Sequence, residues 1–128
     1  MRSTRDRSDR GAAAVEFALV VPVLLLLVLG ILEFGRAFNA QVSLTAAARE
    51  SVRVMAVEND VDAAVTVASD AAVSLNPSID ASHVEISPTV CAPGTNVTVT
   101  ITYPFEFVTG TFGPEITLTG QGMMRCGG

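Results

Sequence analysis

Residues 12–32 read AAAVEFALVVPVLLLLVLGIL, a run of 21 positions broken by one charge, Glu16. At about 1.5 Å per residue a helix of that length spans roughly 31 Å, the thickness of a bilayer's hydrocarbon core. The run therefore predicts a transmembrane helix over residues 12–32, a leader at residues 1–11, and one small domain at residues 33–128. Arg2, Arg5, Arg7 and Arg10 precede the helix against Asp6 and Asp9, whereas Arg36 is the only basic residue in the first dozen positions after it. The positive-inside rule then puts a basic leader in the cytoplasm and residues 33–128 outside it, in a single-pass protein of the cytoplasmic membrane. Membrane lipid is its first expected partner.

The exported part carries four Arg and ten Asp or Glu, a side-chain net charge of −6 with its lone His neutral. An acidic surface without basic clusters argues against nucleic-acid binding. Both cysteines, Cys91 and Cys126, lie in this part, where an oxidising compartment lets them pair.

Past the membrane, residues 33–57 (EFGRAFNAQVSLTAAARESVRVMAV) are rich in Ala and free of Pro, so the helix is expected to continue. Phe34, Ala37, Leu44, Ala48, Val52 and Met55 fall at helical spacing and predict an apolar stripe laid on the domain core. Asn59-Asp60 offers a break, and either residue can cap a second helix running to Leu75, with Val61, Ala64, Val65, Ala68, Ala72 and Leu75 on its buried face. Asn76-Pro77 ends it.

From His83 the period changes to two. Val97, Val99, Ile101 and Tyr103 alternate with Thr98, Thr100 and Thr102, so residues 96–103 predict a half-buried strand. Residues 84–86 and 116–124 are the other strand candidates. Pro93-Gly94 and the segment 110–114 mark the turns, giving a small antiparallel meander. In a meander the ends of the first and third strands both lie near the start of the second, which brings Cys91 and Cys126 to one edge. In the chain-entropy model a disulfide closing a loop of about 35 residues contributes on the order of 4 kcal/mol.

The chemistry-bearing motif is Gly11-Ala-Ala-Ala-Val-Glu16-Phe17, at the junction of leader and apolar run. Gly11 has no β-carbon, so it can enter a narrow protease groove in an extended or turned form. Glu16 places a carboxylate where burial in lipid costs a few kcal/mol near the centre and less near the edge, unless it finds a partner or snorkels to the headgroups.

This arrangement resembles the processing site of type IV prepilins, especially the Flp or tight-adherence branch, in which a Gly is followed after four residues by Glu and then Tyr or Phe. The run from Gly11 to Phe38, GAAAVEFALVVPVLLLLVLGILEFGRAF, is similar to the TadE-like family of pilus assembly proteins. The resemblance implies cleavage between Gly11 and Ala12 by a membrane prepilin peptidase that recognises Glu16 and Phe17. Processing would leave 117 of the 128 residues and, by removing four Arg and two Asp, take the side-chain net charge from −5 to −7. It also implies that Glu16 pairs with the N-terminal amine of a neighbouring subunit during assembly. Because some 95 residues follow Leu32, the resemblance points to a minor pilin or pseudopilin of a Flp/Tad-type pilus used in surface adhesion, not to a main fibre subunit. Its expected partners are the peptidase, other pilins or pseudopilins and the assembly machinery. The fold implied is a membrane-anchored α+β, pilin-like layout, in which a long transmembrane then amphipathic helix is followed by a short helix and a small antiparallel meander.

Other features carry less. Pro22 is a membrane-helix proline whose freed carbonyl is satisfied locally, and Gly30 and Gly35 miss the spacing of GxxxG. His83 has no second ligand at metal spacing, and Asn96-Val97-Thr98 matters as a sequon only in a eukaryotic secretory pathway. No nucleophile–base pair, metal set, phosphate loop or cofactor motif is legible, so the chain is expected to be an enzyme's substrate rather than an enzyme. The alternatives are a secreted or membrane-anchored extracellular binding module, with residues 2–40 as a signal peptide cleaved near Gly35-Arg36-Ala37 or as a plain anchor. An apolar core of 16 residues, from Phe17 to Leu32, exceeds the usual 7 to 15 of a signal peptide.

Overall fold

The structure, a computed structural model, describes residues 5–110 and 112–127. The chain divides into two compact units, Met1–Gly35 and Arg36–Gly128. Its first element is one helix, α1, Arg5–Glu58, with Pro22 inside it. In the first unit nearly all side chains from Val15 to Leu32 are exposed. Among the described residues this is the one helix long and apolar enough to cross a membrane. The helix takes in the leader from Arg5 onward, and Gly11 is helical within it. Nothing between Arg5 and Phe17 breaks a helix, and one interior Gly, at about 1 kcal/mol relative to Ala, is outweighed by the three Ala that follow it.

In the second unit α1 ends at Glu58. Asn59 takes a left-handed conformation (φ 53°), one that Asn tolerates better than most residues, and its N–H donates to the Met55 carbonyl (3.0 Å). Asp60 is the N-cap of helix α2, Val61–Ala71, its side chain accepting from the Ala63 N–H at 3.0 Å. The two candidate caps thus divide the labour. Helix α2 stops four residues short of the expected Leu75, but Ala72 and Leu75 are buried all the same, carried into the core by a turn.

A 3-10 turn, Ala81–His83, leads into strands β1 (Val84–Ser87), β2 (Asn96–Glu106) and β3 (Glu115–Arg125). They form an antiparallel sheet in the order β1-β2-β3, the expected meander. Val84 faces Ile101, Asn96 faces Arg125, and Glu106 faces Glu115. β2 runs past Pro104, where the alternation stopped in the sequence reading. The ladder with β1 ends at Ile101, so Pro104 sits where β2 has no neighbour on that side, which a residue without an N–H tolerates.

The core is one cluster, with Ala37, Ala40, Leu44, Ala47, Ala48, Val52 and Met55 of α1 set against Val97, Val99, Ile101, Tyr103 and Phe105 of β2. Five of the six residues of the expected helix stripe are in it. Phe34 is not, being 57% exposed. At about 100° per residue it lies roughly 80° round the helix from Leu44, at the flank of the buried face.

The helix and β3 pack more closely than side chains allow. A β-carbon on Gly120 would lie 2.4 Å from the Leu44 carbonyl oxygen, and one on Gly122 would lie 2.7 Å from that of Ala48. Glycine at alternate strand positions brings the backbones of helix and strand into direct contact. The Gln41 side-chain amide donates to the Thr119 carbonyl (2.7 Å), and the Ser51 hydroxyl, fully buried, donates to the Ala64 carbonyl (2.8 Å), tying α1 to α2.

Candidate processing and assembly site

Gly11, Ala12, Glu16 and Phe17 all lie on α1 in the first unit, and all are exposed. Their geometry follows from helical spacing. Ala12 and Glu16 are four residues apart, so they share a face one turn apart, and Phe17 (71% exposed) points about 100° further round. A β-carbon at Gly11 would meet nothing within 4 Å. The fold therefore does not require glycine there. A carboxylate one turn from the first residue after Gly11, on an open helix face, can receive an ammonium group from its own chain or from another.

The second predicted constellation, Cys91 and Cys126, forms a disulfide with a Cα–Cα distance of 5.5 Å and a sequence separation of 35. The meander places it as expected, and backbone bonds hold both sides. The Cys126 N–H donates to the Thr95 carbonyl (2.8 Å) and the Gly127 N–H to the Ala56 carbonyl (3.1 Å). The Cys91 N–H donates to the Asn59 side-chain oxygen (2.6 Å). The helix end, the β1–β2 loop and the end of β3 are thereby joined.

His83 serves the backbone. Its Nδ1 accepts from the Asp80 N–H (3.2 Å), one half of a capping box whose other half is the Asp80 carboxylate. That carboxylate lies 3.0 Å from the same Nδ1, but a nitrogen that accepts a hydrogen bond carries no proton, so the contact is not read as an ion pair. The Ser82 hydroxyl and backbone N–H hold the exposed Asp80 carboxyl below the usual range. No group of three or more His, Cys, Asp or Glu comes together to hold a metal among the described residues.

Sequence reasoning missed a concavity of about 290 Å³ in the second unit, lined by Arg36, Asn39, Asn76, Tyr103, Phe105 and Glu106 among others. The Arg36 guanidinium lies 5.3 Å from the Phe105 ring centroid, and the Tyr103 hydroxyl donates to the Pro77 carbonyl (2.8 Å). No spacing announces these contacts, because their partners are distant in sequence. The Gly120–Gly122 contact did leave a trace, since two glycines two apart in a strand pattern mark a close backbone approach.

No curated protein and no solved structure matches the chain. A family match does exist; it begins at Gly11 and ends within α1 at Arg53, so the sheet lies outside it. Over residues 11–53, about a third of its length, the chain is similar to the family described as TadE-like protein.

Proposed function

We propose that the chain is a minor pilin or pseudopilin-like component in the assembly of a Flp/Tad-type pilus for surface adhesion, matured by a prepilin peptidase that cuts after Gly11. The observation that carries this reading is the coincidence of the family match with the motif, because the match starts at the glycine of the proposed cut. Glu16 then lies one helical turn into the new N-terminus. In lipid its desolvation is offset by pairing with the N-terminal amine of a neighbouring subunit. The positive-inside rule puts the leader in the cytoplasm, facing the peptidase, and the acidic domain outside. The chain acts as substrate and structural part, not as catalyst.

The placement of Ala37 supports this over secretion with a cut near Gly35-Arg36-Ala37. Ala37 is 7% exposed and belongs to the domain core, and Arg36 lies over Phe105. Such a cut would separate residues that the folded domain uses.

Sequencing the N-terminus of the protein recovered from membranes tests the proposal. Ala12 is the expected first residue; a start near Phe38 would mean secretion, and an intact leader a plain anchor. Glu16→Ala is expected to leave the helix and the domain intact while assembly into the pilus apparatus fails. Normal assembly of that variant would overturn the pairing role.

A further inference from the structure

We infer that copies of this chain pack side by side in one orientation, the outer flank of α1 in one copy against the outer face of α2 in the next. This rests on the anchor reading above, since chains held in one membrane share an orientation. The α1 flank carries Val42, 53% exposed, with Arg49 and Arg53 exposed beyond it. At about 100° per residue, Arg49 and Arg53 each lie roughly 160° round the helix from Ser51, whose hydroxyl reaches α2. Both therefore point away from the α2 of their own chain. On α2, Asp62 and Asp70 lie roughly 160° from the buried Ala64 and Ala68, so they share its outer face. The helix has no basic residue, and Val73, just beyond it, is 83% exposed. None of these four charges is in an ion pair among the described residues, and the two Arg, one turn apart, repel each other.

The two faces match in level as well as in sign. Within one chain α2 runs antiparallel to α1, for Ser51 bonds to Ala64 and the hydroxyls of Ser43 and Ser74 lie 2.8 Å apart. These ties set Arg53 level with Asp62, and Val42 level with Val73. Eleven residues separate Val42 from Arg53 and eleven separate Asp62 from Val73, roughly 16 Å in each case. A second copy displaced sideways, with no shift along α1, thus brings its Asp62 to Arg53 and its Val73 to Val42 together. Arg49 then falls midway in level between Asp62 and Asp70, one turn from each. Packing either face on its own counterpart would set Arg against Arg or Asp against Asp, which costs free energy. The contact is therefore heterologous; it leaves one face open on each copy, and copies add into rows.

The native cysteines leave no free thiol, so added ones report the contact. Two differently tagged full chains, one with Val42→Cys and the other with Val73→Cys, are expressed together, and their membranes are isolated and oxidised. A mixed disulfide is expected to form on the order of tenfold faster than between Val42→Cys and Val90→Cys, an exposed position in the β1–β2 loop. Arg53→Glu in the first chain is expected to remove that advantage and Asp62→Arg in the second to restore it, each variant keeping a cooperative thermal transition. Cross-linking that ignores both reversals, or is no faster than at Val90, would overturn the contact, as would equal cross-linking of Val42→Cys with itself. A carbonate wash of the same membranes reads the anchor separately. If the chains stay with the membrane and do not cross-link, the contact fails and the anchor stands. Chains released by the wash would remove the anchor reading and, with it, the shared orientation.

Discussion

Tyr103 is the chain's single tyrosine, and its hydroxyl donates to the Pro77 carbonyl. Burial first, and then the nearby Glu106 carboxylate, push its pKa above the ordinary value of about 10. The folded state thus prefers the neutral phenol. The associated stability is fully present below the unfolded value, near 10, and is lost as pH rises through the folded value. Because the chain has no Trp, alkaline titration of the phenolate absorbance reads this one group, and a midpoint above 10 is expected in the folded protein. Ser51 makes a second test at this scale. Ser51→Ala removes the bond to the Ala64 carbonyl and is expected to cost about 1 kcal/mol in denaturant unfolding; Ser51→Val, which adds volume to a filled site, is expected to cost more. Tyr103 was legible in the sequence as an inward strand position. Ser51 was not, because a serine in an Ala-rich helix carries no mark of whether it faces solvent or a neighbouring helix.

Among elements, the contact of α1 with β3 depends on glycine. Gly120→Ala and Gly122→Ala each place a methyl group against a helix carbonyl, and the helix must move. Overpacking of this kind costs about 1–3 kcal/mol, and each kcal/mol lowers the melting temperature of a domain this size by about 4–8 °C. Gly120→Ala, with the closer approach, is expected to be the worse of the two in thermal unfolding. Gly35→Ala is the contrasting case, since its β-carbon meets nothing within 4 Å in the middle of α1. Removing an interior helical glycine at an open position is expected to stabilise the helix by about 1 kcal/mol. The disulfide acts at the same scale. Replacing Cys91 and Cys126 together with Ala is expected to cost on the order of 4 kcal/mol, read from denaturant midpoints. The meander and its linked edge were legible because period two and turn residues are local signals. The full length of β2 was not, since whether Pro104 ends a strand depends on whether β1 reaches it.

For the whole molecule, every member of the core cluster lies at Ala37 or later. Cleavage after Gly11 is therefore expected to leave the thermal transition of the domain unchanged, which calorimetry of the precursor and the processed chain in the same detergent would measure. The sequence by itself determined that this protein has one long apolar helix, a second helix capped near Asp60, a three-strand meander and a cysteine pair at its edge. Each rests on a period, a cap or a turn residue that acts over a few positions. Only the tertiary structure decided that Phe34 is left out of the core and that Gly120 and Gly122 let β3 touch the backbone of α1. Such facts depend on how far one element slides and turns against another, which is set by the summed packing of residues far apart in the chain.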